Sequence, residues 1–267
     1  MASIVSLNND HVRRVRALQR STRRRVSEGM LAIEGLRLVR EVLNTDLSIH
    51  KVFYTETVAS GASGRSVVEA CAARAIACWE VSADVMDAMS DTETPQGILI
   101  VMPIPDLRCR ADDPFTLIPD SVRDPGNLGT ILRTAWAAGV SQVLLPPGTV
   151  DYLNPKVVRA GMGAHLHMPM QQASWDKIRS IVGNADVWLA EANRGTRYDA
   201  VDWRGRVTLV VGGEAEGASD EGRALAGDRC VYIPMAANVD SLNAAMAAVV
   251  LLFEAAKQRH VDGHSSV

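Results

Sequence analysis

The residues best suited to chemistry sit in three separated stretches. In DPGNLGTILRTA, Asn127 stands where a helix N-cap belongs, and Arg133 follows Gly129 by one helical turn. Helical side chains lean toward the N-terminus, so this spacing carries the guanidinium back over a position with no side chain. A permanent cation is thereby brought to the mouth of a helix whose free N–H groups already favour anions. Taken alone, such an arginine is most often an ordinary surface residue. The second stretch, VGGEAEGAS, offers Gly212, Gly213 and Gly217 for close backbone approach, with Glu214 and Glu216 as carboxylates. It holds no Lys or Arg, and its carboxylates would repel phosphate, so it suits a ligand with a positive centre. The third, YIPMAANVDSLNAAM, sets Ile233 and Met235 about a proline and places Ser241, Leu242 and Asn243 before an alanine-rich run.

The elements that must position these residues read as α/β. Phe115–Ile118 is a short apolar run, Asp124-Pro125-Gly126 breaks the chain, and Leu128, Ile131, Leu132 and Ala135 recur with helical spacing until Gly139. Val143–Leu145 predicts the next strand. Val207–Val211 is a continuous run rich in β-branched residues, as in a central parallel strand, and the glycine stretch lies at its carboxyl end, where open α/β sheets bind ligands. Ser219 predicts the cap of a short helix, Asp220–Leu225, and Ser241 that of a long one, Leu242–His260. The Ala244, Ala245, Ala247 and Ala248 face permits close helix packing, in the core or across a symmetric dimer. Between them, Asp151–Met162 reads as helical from Asn154 or Pro155, and AHLHMPM as strand-like with His165 and His167 alternating. Two histidines are too few for a metal site.

Taken in order, DPGNLGxxxRTA, GGExEG and IPM…SLN resemble the three motifs of the SpoU/TrmH branch of the SPOUT RNA methyltransferases. LAIEGLRLVREVL and ETPQGILIVM also resemble the substrate-binding domain often joined to them, so the likeness spans roughly the whole chain. The resemblance implies a small α/β RNA-binding domain followed by a SPOUT α/β domain, with a mostly parallel sheet and a trefoil knot. It implies a homodimer, S-adenosyl-L-methionine as methyl donor without a metal, and a ribose 2′-hydroxyl of structured RNA as acceptor, with ribosomal RNA ahead of transfer RNA. Gly212, Gly213, Glu214, Gly217, Ile233, Met235, Ser241 and Leu242 would then hold the cofactor. Arg133, Asn127, Glu214, Ser241 and Asn243 would serve the reaction. Family members often carry Ser where this chain has Gly161 and Gly where it has Ala237. These departures bear on substrate placement and on the width of the cofactor loop.

The expected domains are residues 1–103 for RNA binding, 104–114 as linker, 115–260 for methyl transfer, and 261–267 as a tail. In the first, seven arginines and no acid lie between His11 and Arg25. Arg13, Arg16, Arg20 and Arg23 or Arg24 form one helical stripe, with Val12, Val15 and Leu18 on another face. A helical charge run is usually a solvated face. Here it has a single sign in a chain of net charge −3, which points to phosphates. The resemblance to the substrate-binding domain implies that Glu34 and Arg37 lie near the RNA face; the alternative is a surface ion pair. Aromatics are few (five Trp, four Tyr, three Phe), so recognition by RNA shape and phosphate is favoured over clustered base stacking.

Among 267 residues no run reaches the roughly twenty apolar residues of a membrane span, and MASIVSLNNDHVRR lacks the apolar core of a signal peptide. A cytoplasmic protein is expected, with its four scattered cysteines reduced. A nicotinamide enzyme is disfavoured because RAGMG follows a helix and lacks the third glycine of GxGxxG. A non-catalytic RNA-binding factor on the same scaffold is the competing class.

Overall fold

The computed structural model describes residues 3–109, 114–214, 216–236 and 241–261, with His260 and Val261 as backbone alone. Ala237, noted above, lies outside the described residues, as do most of the expected tail and part of the expected linker. The chain divides into two compact units, Met1–Pro105 with Leu153–Leu166, and Asp106–Tyr152 with His167–Val267.

The first unit runs α1 (Asp10–Arg20), α2 (Thr22–Glu28), β1 (Met30–Glu34), α3 (Leu36–Leu43), β2 (Lys51–Tyr54), α4 (Glu56–Ser60), α5 (Ala62–Ala73), β3 (Ala77–Glu80), α6 (Ala83–Met89) and β4 (Ile98–Pro103). Its sheet has the order β1-β4-β2-β3, with only β2 and β3 parallel. Val12, Val15 and Leu18 of α1 pack with Phe53, Leu99 and Val101 of the sheet in one core.

The arginine-rich run is two helices rather than one. Ser21 adopts an extended conformation that closes α1, and its hydroxyl accepts from the Arg24 N–H to cap α2. The break turns Arg25 inward, where it is 3% exposed and donates to the carbonyls of Leu18 at 2.6 Å and Gln19 at 3.2 Å. Arg25 is therefore part of the scaffold. Glu34 is also buried and forms no ion pair with the exposed Arg37. Its carboxylate instead accepts from Ser90 Oγ at 2.5 Å and Thr92 Oγ1 at 2.9 Å, fastening the loop ahead of β4.

In the remaining chain come β5 (Phe115–Asp120), α7 (Pro125–Ala137), β6 (Gln142–Leu145), α8 (Pro155–Gly161), α9 (Ala164–His167), β7 (Met170–Gln172), α10 (Trp175–Val182), β8 (Asp186–Ala190), β9 (Thr196–Arg197), β10 (Val207–Gly212), α11 (Asp220–Ala226), β11 (Cys230–Tyr232) and α12 (Ala244–Val261). The helix α8 belongs with the first unit and packs on β1. The other unit is built on a parallel sheet of order β7-β6-β5-β10-β8-β11-β9. The strand β10 sits between β5 and β8, in register with Phe115–Asp120, and is buried along Val207–Val211.

Three local expectations change. Asp124, not Asn127, caps α7: its carboxylate accepts from the Asn127 N–H at 2.7 Å, and Pro125 takes the first turn. Asn243, not Ser241, caps α12, since its Oδ1 accepts from the N–H groups of Ala245 and Met246. AHLHMPM begins as the short helix α9, because left-handed Met162 and Gly163 (φ +105°) restart the chain in a turn, and only Met170–Gln172 pairs as a strand. Among the described residues no helix is long and apolar enough to cross a membrane.

Candidate active site

The carboxyl ends of β10 and β8 open onto a cavity of about 200 Å³. Gly212, Gly213, Glu214, Gly217, Ile233, Met235, Ser241 and Leu242 all line it, together with Ala244 and Leu251 of α12. The glycines are required by the crowding of the backbone there. A Cβ on Gly212 would lie 2.4 Å from the Ala218 nitrogen, and one on Gly213 would lie 2.1 Å from the Ser121 carbonyl oxygen. Gly213 donates to the Gly217 carbonyl at 3.1 Å, and Gly217 has φ +71°, so the loop folds back as a tight flap.

Asn127 lies at the first turn of α7. Its Nδ2 donates to Glu214 Oε1 at 2.5 Å, and its Oδ1 accepts from Asn243 Nδ2 at 3.3 Å. The three sequence stretches therefore meet at one side chain. Glu216 faces Arg123 at 3.0 Å. Arg133 stands apart: it is on the exposed side of α7, does not line the cavity, and forms no ion pair among the described residues.

Two acids escaped the sequence reading. Asp120, at the end of β5, is fully buried and accepts from the Ser219 N–H at 2.7 Å and its hydroxyl at 2.8 Å. It pins the far end of the glycine loop to the sheet. A Cβ on Gly222 would come within 2.3 Å of this carboxylate. Glu191, just past β8, lines the cavity and pairs with Arg223. Their shared signal was an acid closing an apolar strand run at its carboxyl end.

The donor set fits S-adenosylmethionine. Ile233, Met235, Leu242 and Leu251 would offer apolar walls to an adenosyl group, and Glu214 would supply negative charge for its cationic parts. Among the described residues no three His, Cys, Asp or Glu side chains come together as a metal site.

Residues 114–253 match the SpoU rRNA Methylase family and residues 9–100 the MRM3-like substrate binding domain. The chain belongs to the SpoU rRNA methylase family. It is 30% identical to the 23S rRNA (guanosine(2553)-2′-O)-methyltransferase RlmP of Bacillus subtilis, over 95% of this chain and 98% of that protein. It is 31% identical to the human mitochondrial rRNA methyltransferase 3, over 88% of this chain and 69% of that one. Among solved structures, the AdoMet-bound rRNA methyltransferase from Sinorhizobium meliloti superposes with TM-score 0.79 at 30% identity, covering 96% of this chain and 97% of that one.

Proposed function

We propose that this protein transfers a methyl group from S-adenosylmethionine to a ribose 2′-hydroxyl in structured ribosomal RNA, and that it works as a homodimer in the cytoplasm. The observation that carries this reading is the junction of Asn127, Glu214 and Asn243 beside the glycine-lined cavity. Similarity to RlmP and to the mitochondrial rRNA methyltransferases supports ribosomal over transfer RNA.

When bound, the cofactor supplies an electrophilic methyl on a sulfonium. The chain's own residues do the rest. A ribose hydroxyl is a poor nucleophile, so it must be held in line, which contributes roughly 7–11 kcal/mol in favourable cases. Its proton passes to solvent water as the O–C bond forms, and the negative charge developing on the oxygen must be met, where a fixed cation contributes about 3–4 kcal/mol. We assign the second task to Arg133, as an electrostatic stabiliser rather than a base, because a guanidinium does not give up its proton near neutrality. Asn127, Ser241 and Asn243 orient the ribose and the loop, while Glu214 holds Asn127.

The dimer accounts for two features of the single chain. Arg133 has no ion pair among the described residues and lies outside the cavity wall, so it is available to a neighbouring copy. Met246 and Phe253, each 50% exposed, lie seven residues apart on α12, with Leu242 at 39% one turn earlier. An apolar stripe of this kind suits a symmetric partner. The trefoil knot implied by the motif resemblance forms part of the same proposal. In the first unit, Arg16, Arg20 and Arg23 carry no ion pair among the described residues, whereas Arg13 is paired with Asp10 and Arg24 with Glu28. The unpaired three, with Arg37, are assigned to RNA phosphates.

The test is methyl transfer to transcribed ribosomal RNA fragments, with nucleoside mass spectrometry of the product. A 2′-O-methylated nucleoside is expected. Transfer to tRNA alone, or binding of RNA without transfer, would reject the reading.

A further inference from the structure

We propose that Trp136 and His167 form a stacking platform for an unpaired base of the RNA substrate, next to Arg133; this rests on the reading of the protein as an RNA methyltransferase. The two rings come from α7 and from the end of α9, 31 positions apart in sequence. They lie face to face, with centroids 4.5 Å apart and planes 2° from parallel. Neither belongs to the core: Trp136 is 36% exposed and His167 is exposed. A ring pair fixed across two elements presents a flat π-face whose orientation is already set, so a third ring joins it at small entropic cost.

The surroundings select a base rather than a phosphate or an apolar partner. On the His167 side the surface opens into a groove of about 380 Å³, lined by Asp106, Leu107, Arg108, His167 and Pro169. Asp106 and Arg108 sit 3.8 Å apart and give this groove both an acceptor and donors, as the edge of a nucleobase requires. The Asp106–Arg108 pair is neutral overall, so the groove carries no net charge to favour a phosphate over a base. The apolar stripe assigned above to a second copy of the chain uses Met246 and Phe253 of α12 with Leu242 just before it; this platform carries none of those residues.

Position ties the platform to the reaction. Arg133 and Trp136 are three residues apart on α7, hence on one face and about 4.5 Å apart along its axis. A ribose presented to the Arg133 guanidinium would hold its own base, or the adjoining one, within reach of the Trp136–His167 pair. Stacking of this kind tolerates any base, and a purine covers the most ring area. Base identity would then be read elsewhere, while this pair keeps the nucleotide splayed from its helix.

The experiment uses the full chain. Tryptophan fluorescence is titrated with a twelve-residue oligoadenylate and with an abasic ribo-oligomer of the same length, for the wild type and Trp136→Phe. Oligoadenylate should quench a component of the wild-type signal that Trp136→Phe lacks, and the abasic oligomer should leave it unchanged. Trp136→Ala and His167→Ala should weaken oligoadenylate binding about tenfold, with cofactor affinity by calorimetry and sedimentation mass unaltered. Normal binding by both alanine variants would overturn the proposal. So would loss of binding that merely follows dissociation into single chains, which would make the pair a subunit contact. If the wild type transfers no methyl to rRNA yet shows the Trp136-dependent quenching, the platform stands and the enzymatic reading fails. If it transfers methyl and Trp136→Ala keeps its RNA KM, the platform alone fails.

Discussion

The Asn127 side chain donates to Glu214 at 2.5 Å and accepts from Asn243 at 3.3 Å, so one amide at the start of α7 joins the glycine loop to the approach of α12. Both outer partners are exposed, which limits the net value of each bond to about 1 kcal/mol. The arrangement should act chiefly through cofactor affinity, because both joined segments line the cavity. A double-mutant cycle of Asn127→Ala and Glu214→Ala, read as S-adenosylmethionine Kd by calorimetry, should show coupling of about 1 kcal/mol. Asn127→Asp should be worse than Asn127→Ala, since it sets two carboxylates against each other. Strict additivity of the alanine variants would mean the hydrogen bond does not form in solution.

Arg133→Ala should separate chemistry from cofactor binding. The side chain does not line the cavity, so S-adenosylmethionine affinity should stay within about twofold, while kcat falls by roughly 10²–10³ with removal of a charge-stabilising group. Arg133→Lys should restore little, because an ammonium lacks the planar fork. Single-turnover transfer with saturating cofactor measures this directly, and near-normal turnover by the alanine variant would remove Arg133 from the reaction.

Asp120 should behave as a positioning residue. Removing its carboxylate leaves the N–H and hydroxyl of Ser219 without their acceptor beneath the glycine loop. Asp120→Ala should cost about 3 kcal/mol, the scale for a buried charge-assisted network, and lower the thermal midpoint by roughly 6–12 °C for a unit of this size. Asp120→Asn keeps one acceptor and should lose less. Calorimetric melting together with cofactor titration checks both, the expectation being that stability and affinity fall in the same order.

Much of this site was legible in the sequence because glycine, proline and charge placed after an apolar run carry local meaning. All eight residues expected around the cofactor line a single cavity. What could not be read was long-range pairing. Asn127 was expected to cap α7 through its own local position, but its side chain is drawn across to residues 87 and 116 positions away, leaving the cap to Asp124. Periodicity likewise carried the first basic helix straight through Ser21, since the Arg25 register looks exposed until the carbonyl ends of α1 claim its guanidinium. His165 and His167 alternated as in a strand, and the turn at Met162 and Gly163 overrode that pattern.

The same break sorts the arginines into two experimental classes. Arg20 and Arg23 are exposed with no ion pair among the described residues, so alanine at either should weaken RNA binding. The slope of log K against log salt should become shallower by about 0.7–0.9 for each phosphate the protein no longer neutralises. Stability should change by less than about 0.5 kcal/mol. Arg25→Ala should do the opposite, lowering the denaturation midpoint by abandoning buried carbonyls of α1. Filter binding at several salt concentrations and urea denaturation distinguish the two, and a salt slope altered by Arg25→Ala in a folded protein would contradict the sorting.

His11 gives the first unit a pH dependence with a definite sign. Partial burial lowers its pKa below the ordinary value, and Lys51, whose Nζ lies 3.0 Å from Nδ1, lowers it further, as does Arg14, against an opposing pull from Asp10. The folded protein therefore takes up the imidazole proton less readily than the unfolded chain. Where the unfolded state binds more protons, stability rises with pH, so this contribution is present above about pH 6.5 and is lost as pH falls through the depressed folded value. The urea midpoint should decline between pH 7.5 and 5.5, and His11→Gln, which cannot take up a proton, should flatten that decline. Burial and the nearby Arg14 guanidinium lower the neighbouring Lys51 as well. An equal decline in wild type and His11→Gln would place the acid sensitivity on another group.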